Sequence, residues 1–285
     1  MKKEISDIVT DRIIEAMEAG IVPWRKPWSG NLTSPTSLSS GKTYRGINNL
    51  ILSITAEMEA YETGLWGTYR QFQAMDGSVT KGEKGTPVVL WKPLEKETPT
   101  GETETFMMMR YFTVFNIAQT DVEVPEKYLV QRTPVPVLEG LNEAINYQSG
   151  PKVIYKSSDR AFYNSASDQI TLPELDQFTT AVGFAGTVLH ELTHSTGHES
   201  RLDRKLANSF GCADYALEEL VAEMGAAMLA TQLDIEVEWD QAASYLDSWL
   251  KVLKDDRKLI IQAAQKAQKA VDVILPVTIE VQVAA

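Results

Sequence analysis

Apolar residues recur along this chain at two spacings, and each change of spacing marks an element. Ile5, Ile8, Val9, Ile13, Ala16 and Met17 step by three and four, which predicts an amphipathic helix stopped by Gly20. Residues 48–60 keep the helical step, and T-Y-R-Q-F-Q-A-M (68–75) predicts a short helix closed at Asp76-Gly77. The pattern then turns to β-branched and aromatic runs. V-T-K-G-E-K-G-T-P-V-V-L-W-K (79–92) predicts a strand, a Gly-bounded turn and a strand. T-F-M-M-M-R-Y-F-T-V-F (105–115) predicts a long strand paired to the second of these across Pro99-Thr100-Gly101. S-P-T-S-L-S-S-G-K (34–42) predicts a mobile loop.

After Pro125, Pro134 and Pro136 the pattern starts afresh, so a domain boundary is expected near residue 130. Beyond it, V-L-E-G-L-N-E-A-I-N-Y predicts a helix, and K-V-I-Y, R-A-F-Y and Q-I-T-L predict three short strands. A helix ending in H-E-L-T-H follows, then one over A-L-E-E-L-V-A-E-M-G-A-A-M-L, then two more between Trp239 and Ile274. The closing V-T-I-E-V-Q-V alternates like a strand. The fold class expected is α+β. A mixed N-terminal domain with a small antiparallel sheet (1–130) precedes a C-terminal domain (131–285), in which a small sheet followed by a helix carrying H-E-x-x-H matches a zincin-like architecture. An edge strand of that sheet can line a cleft, and A-F-Y-N-S-A-S-D-Q-I-T-L (161–172) is the candidate wall.

Composition narrows the class. With 44% hydrophobic residues the 285-residue chain can build real cores. The lone Cys212 precludes an internal disulfide, the start M-K-K-E-I-S-D-I-V-T-D-R lacks an apolar signal core, and no stretch approaches a membrane span. A cytoplasmic location with no membrane partner is the expectation. The net charge of −12 is unevenly spread: −2 over residues 1–132 and −10 over the rest. Residues 20–92 hold eight basic residues against five acids, a local positive field that suits an anionic partner.

The chemistry concentrates in H-E-L-T-H-S-T-G-H, which holds all three histidines of the chain between His190 and His198. Helical residues four apart share a face, so His190 and His194 can aim two imidazole nitrogens at one point, with Glu191 beside them as general base for a water. The preceding A-V-G-F-A-G-T-V-L is apolar all round, so this helix should be buried and its polar groups in need of partners. Catalytic zinc keeps three protein ligands and one open position. Glu219 is the candidate third ligand, with Glu223, four residues on, holding a ligand histidine through its other ring N–H; the two roles are exchangeable on spacing alone. Glu218 is expected on the exposed flank. His198 follows Gly197, expected to end the helix as a left-handed cap, and is an alternative ligand, a helix-end contact or a cleft residue. Tyr215 and Arg201 are candidates to steady an oxyanion. The expected cofactor is one divalent metal: the donor set suits zinc, and manganese, cobalt or nickel can occupy it.

The front half interleaves aromatics with cations. Trp24, Arg25, Lys26, Trp28, Tyr44, Arg45, Trp66, Tyr69, Arg70, Lys81 and Lys84 are the candidate contacts, and Trp91-Lys92 repeats the theme. Single-stranded nucleic acid is held in this way, bases on rings and phosphates on cations. The competing reading is that these rings fill a small core under Lys and Arg stems.

Several strings together resemble the ArdC-type antirestriction proteins of conjugative plasmids and their relatives in phage polyvalent proteins. They are I-V-P-W-R-K-P-W, G-K-T-Y-R-G-I-N, T-Y-R-Q, K-G-E-K-G-T-P-V-V and Y-F-T-V-F-N-I-A-Q, then H-E-L-T-H-S-T-G-H-E-S-R-L-D-R and Y-A-L-E-E-L-V-A-E-M-G-A. The resemblance covers nearly the whole chain. It implies a front domain that binds single-stranded DNA, a metallopeptidase-like back domain acting on a protein or peptide, and protection of incoming plasmid DNA from host restriction. Two alternatives stand beside it: a DNA-binding shield with a non-catalytic metal site, and a cytoplasmic metallopeptidase acting on a regulator protein.

Overall fold

The computed structural model describes residues 5–18, 35–97, 103–128, 137–158, 160–178, 180–206, 213–235 and 242–276. The chain divides into two compact units. One comprises Met1–Ile5 and Gly30–Gln131, the other Ser6–Ser29 and Arg132–Ala285. Both mix helices with a small sheet, so the fold is α+β.

The first unit is a four-stranded sheet in the order β1-β2-β4-β3, formed by β1 (Thr36–Ser37), β2 (Leu65–Gly67), β3 (Thr86–Glu97) and β4 (Thr103–Asn116). Strands β3 and β4 pair antiparallel in one unbroken register from Thr86↔Val114 to Glu97↔Thr103, as the alternation predicts; residues 98–102 between them lie outside the described residues. Helix α2 (Ile47–Met58) covers the sheet, packing Leu52 and Ala56 against Trp66, Val88 and Val114. Asn48 on that helix donates its amide N–H to the Val89 carbonyl and accepts the Val89 N–H, both at 2.7 Å. One side chain thus occupies a backbone pair on the outermost strand, which blunts an edge open to further pairing. Helix α3 (Tyr69–Gln73) seats Phe72 in a second cluster with Leu38, Leu65 and Ile117.

Two local expectations change. The expected loop contains a tight turn at 35–42: Thr36 and Ser37 pair parallel with Leu65 and Trp66, and Gly41 (φ +67°) closes the turn with its N–H on the Ser37 carbonyl. The strand expected at 79–81 shrinks to one bridge, Val79 to Thr120, because the chain turns at once through left-handed Gly82 (φ +98°).

The second unit places α4 (Val137–Ile145) and a three-stranded sheet, order β5-β7-β6, against a helical layer. Strand β5 (Lys152–Tyr155) runs parallel to β7 (Gln169–Leu172), and β6 (Phe162–Asn164), within the expected cleft wall, is the antiparallel edge. Helix α5 (Ala181–Ser195) packs between sheet and α6 (Ala213–Leu233), with α7 (Ala242–Asp255) and α8 (Leu259–Ile274) behind. Leu141, Ile170, Leu172, Val188, Leu189, Leu192, Ala226, Leu229 and Val271 share one core. The crossing of α5 and α6 is close because Gly225 lacks a side chain: a Cβ there would lie 2.4 Å from Thr193 Cγ2.

Helix α1 (Ile5–Glu18) joins this unit although it begins the chain. Ile13, Ala16 and Met17 are buried, and Thr10 Oγ1 donates to the Arg257 carbonyl at 2.5 Å. Arg257 also pairs with Asp7 at 3.1 Å and with Asp11, and Lys254 with Glu18 at 2.6 Å. Residues 129–136 of the Pro-rich connector, Cys212 and the closing V-T-I-E-V-Q-V lie outside the described residues.

Candidate metal centre and nucleic-acid interface

Thr180 starts α5 by accepting the Gly183 N–H at 3.0 Å, and the helix runs unbroken through both histidines. Phe184, Ala185, Val188, Leu189 and Leu192 bury it on successive faces, so His190 and His194 meet inside the unit. Their Nε2 atoms stand 3.0 Å apart, with the rings edge-on at 79°. From α6, Glu219 approaches both: Oε2 is 3.6 Å from His190 Nε2, and Oε1 is 3.6 Å from His194 Nε2. These three residues can each offer one ligand atom within 4.8 Å of the others.

The spacing fits a small divalent cation. Ligands about 2.0–2.1 Å from a tetrahedral centre lie about 3.3 Å from one another. Two imidazoles and a carboxylate are also a donor set that zinc and its neighbours accept. The electrostatics agree. Burial alone would pull the His190 imidazole down, yet Glu219, Glu223 and Glu191 around it raise it to about 9. Burial pushes Glu219 up, and the two histidines with a hydrogen bond from Tyr215 outweigh it and hold the carboxyl below its ordinary value. Negative charge packed around two imidazoles is a setting that a divalent cation neutralises.

Of the other expected residues, Glu191 and Glu223 lie beside this group and His198 does not. Glu191 is buried, at 8% exposure, and its charge acts on His190. Glu223 Oε1 stands 3.7 Å from Nδ1 of His190, the ring nitrogen that does not face Glu219. His198 is not brought into the cluster: its Nδ1 accepts the Ser200 N–H at 3.2 Å and lies 2.8 Å from the Ser200 hydroxyl.

Three expectations are corrected. Glu218 is 7% exposed, because α6 has no solvent flank at that turn: Ala216, Leu220, Val221 and Ala222 are buried too. Its Oε1 is 3.2 Å from His194 Nδ1. Burial raises this carboxyl, but His194 and Arg204 together hold it below its usual range. Gly197 is not left-handed; the helix closes through Thr196 in right-handed geometry (φ −63°, ψ −15°). What Gly197 provides is room, since a Cβ there would lie 2.6 Å from Leu206 Cδ2 and 3.2 Å from Arg204 Nη2. Arg201 cannot steady an oxyanion, because its guanidinium is buried and fully engaged. It donates to the Ser195 and Ser149 carbonyls at 2.8 and 2.9 Å, to the Tyr163 hydroxyl at 3.2 Å and to both oxygens of Asp168. It ties the end of α5 to the sheet.

Two family models divide the chain between them. One, described as the N-terminal domain of the anti-restriction factor ArdC, matches residues 3–115; the other, a zincin-like metallopeptidase, matches residues 142–266. The crystal structure of the antirestriction protein ArdC from plasmid R388 aligns with a TM-score of 0.79, covering 95% of this chain and 97% of that one. The sequence identity is 40% for its metal-free form and 39% for its Mn(II)-bound form. The chain belongs to the ArdC antirestriction family. Protein y4eC of Sinorhizobium fredii (strain NBRC 101917 / NGR234) is 37% identical over 282 residues, covering 94% of this chain and 91% of y4eC. DNA primase TraC of Escherichia coli is 37% identical over 294 residues, but this chain spans only 20% of it.

The candidate DNA contacts of this ArdC-family chain separate by exposure. Trp66 is fully buried, edge-on to Tyr61 at 6.0 Å. It lies on β2, inside the sheet and under α2, so it has no face to offer a base; the core reading is right for this residue. Tyr44 is half-buried against the same cluster, and burial, partly offset by a hydrogen bond with Ser37, raises its phenol. Tyr69 is 48% exposed, and Arg45, Arg70, Lys81 and Lys84 are exposed. Trp24, Arg25, Lys26 and Trp28, and the side chains of Trp91 and Lys92, lie outside what the structure describes. The sequence reading passed over Tyr111 and Phe112, both exposed on β4. Consecutive strand residues point to opposite faces, so β4 is open to solvent on both faces here, which spacing alone does not announce. Among the described residues, no helix is long and apolar enough to cross a membrane.

Proposed function

We propose that this protein defends incoming plasmid DNA against restriction with two coupled activities: single-strand binding by its front unit and metal-dependent peptide hydrolysis by its back unit, with the functional boundary near residue 130. The observation that carries the hydrolytic half is the close approach of His190, His194 and Glu219, with Glu191 buried beside them. A divalent cation held there, zinc by donor preference, would supply Lewis acidity to a carbonyl and to water. His190, His194 and Glu219 hold it in this reading. Glu191 takes the proton from the attacking water on a carboxylate oxygen and returns it to the departing amine. Such a residue has no task in a purely structural site, which favours hydrolysis over a passive shield.

The binding half rests on Tyr69, Arg70, Lys81 and Lys84, which keep one ring and three cations exposed to solvent, and on the family the chain belongs to. Glu191→Gln tests the coupling in the whole protein. It should retain the metal and DNA affinity and lose protection of transferred DNA. A variant that protects as well as the parent would show the shield to be the working part and hydrolysis to be irrelevant. Binding that is tighter to single than to double strands and weakens as salt rises is expected of the front unit; equal affinity for both would overturn that assignment.

A further inference from the structure

The segment after α5 returns on itself for a reason that ligation alone does not supply. Residues 197–204 leave the helix, turn at left-handed Asp203 (φ 44°), and come back with the Arg204 N–H on the Gly197 carbonyl at 3.0 Å. This carries the Arg204 side chain under the last turn of α5. There its guanidinium donates to four acceptors on two helices. On α6 it grips Glu218 as a fork, Nη2 to Oε1 at 2.7 Å and Nε to Oε2 at 3.0 Å. At the end of α5 it donates from Nη2 to the Thr193 carbonyl at 2.9 Å and from Nη1 to the Thr196 hydroxyl at 2.7 Å. These two residues bracket His194, whose Nδ1 lies 3.2 Å from Glu218 Oε1.

We propose that Arg204 and Glu218 form a clamp that fixes the rotamer and tautomer of His194, so that both are positioning residues for the metal centre. The inference rests on the reading of His194 as a ligand. An imidazole has two nitrogens and ligates through one only if the proton sits on the other. Glu218 accepts that proton's hydrogen bond at Nδ1 and leaves the Nε2 lone pair facing His190 Nε2 and Glu219. A carboxylate alone could swing or recruit water. The fork fixes its plane, and the bonds to Thr193 and Thr196 fix the same guanidinium to the helix turn that carries the histidine. Carboxylate and imidazole therefore share one frame. The pair is expensive to bury, with side chains only 9% and 6% exposed, and Gly197 is kept bare of a Cβ that would crowd the guanidinium. His190 is served differently: its Glu223 stands at 3.7 Å, beyond hydrogen-bond reach.

The test is Zn(II) and Mn(II) titration by calorimetry of the full-length protein, with melting of the metal-free form read alongside. The variants are Glu218→Gln, Arg204→Gln, the double variant, and Arg204→Lys, which restores charge without the fork. We expect Glu218→Gln to weaken metal binding about 10–100-fold, Arg204→Gln to weaken it by roughly ten, and the double variant to fall no further than the worse single. Lysine should fail to restore affinity, because a point charge cannot hold carboxylate, carbonyl and hydroxyl together. If all variants bind metal as tightly as the parent while their metal-free forms melt lower, the pair is only a structural tie and the clamp is wrong. If variants that melt like the parent keep full affinity, it is wrong as well. Should the parent itself bind neither ion, the metal-centre reading fails first, and that result is distinct from either of these.

Discussion

The two units differ in how their candidate sites are written. The back unit's site is local. Two imidazoles and the candidate base lie within five residues of one helix, and the candidate third ligand comes from the next helix. Helical geometry brings the histidines together whatever the rest of the fold does. The front unit's candidate interface is distributed. Its rings and cations are scattered from β1 to β4, and whether each reaches solvent depends on which face the sheet covers. Trp66 and Tyr69 lie three residues apart; one is wholly buried and the other is half exposed. A catalytic motif can thus be read from spacing, whereas a binding surface has to be read from burial.

Substitutions can break this contrast or sharpen it. Trp66→Ala should cost about 3–5 kcal/mol of front-unit stability, measured by thermal unfolding, because it empties a core site. A variant that melts normally but loses DNA would restore Trp66 as a contact. In the back unit, Asp168→Asn leaves the buried Arg201 without its carboxylate and should cost about 3 kcal/mol at neutral pH. Arg201 and Tyr163 hold the Asp168 carboxyl below its ordinary value of 3.8, against the opposing effect of burial. A depressed carboxyl contributes fully above its unfolded pKa and loses that contribution as pH falls through the folded one. The gap between parent and variant should therefore be constant above about pH 4 and close below it. A gap that persists in strong acid would mean that the ion pair is not its source.

Gly225→Val comes next. Its side chain would intrude on Thr193 and part α5 from α6, for about 1–3 kcal/mol, and metal should be lost with it. Tyr69→Ala should leave the melting point within error and weaken single-strand binding by about 1–3 kcal/mol, as for one stacked base. Unchanged DNA affinity would move the interface elsewhere, with exposed Tyr111 and Phe112 the next rings to replace. The smallest effect is expected for Lys254→Ala, whose partner Glu18 is as solvated as itself: no more than about 0.5 kcal/mol.

Much of the fold was legible because periodicity is a local signal. The β3–β4 pairing, the helices of the back unit and the motif on α5 follow from spacing and caps. What escaped depends on contacts distant in sequence. Thr36 and Ser37 became a strand because Leu65 and Trp66 lie alongside, which no property of a Ser/Thr-rich loop foretells. Glu218 was misplaced because α6 is apolar on nearly every face, so the pattern offers no dry side and wet side to choose between. Arg204 gave no sign of its role until the return loop brought it beneath α5. Helix α1 is amphipathic by sequence, but only its packing with Arg257 and Lys254 places it in the second unit.

The central claim is that His190, His194 and Glu219 together hold one divalent cation. Elemental analysis of the purified full-length protein, beside His194→Ala, addresses it most directly. The account predicts close to one transition-metal ion per chain in the parent and almost none in the variant, with both folded. Equal metal in the two, or none in a parent dialysed against zinc or manganese, would contradict it.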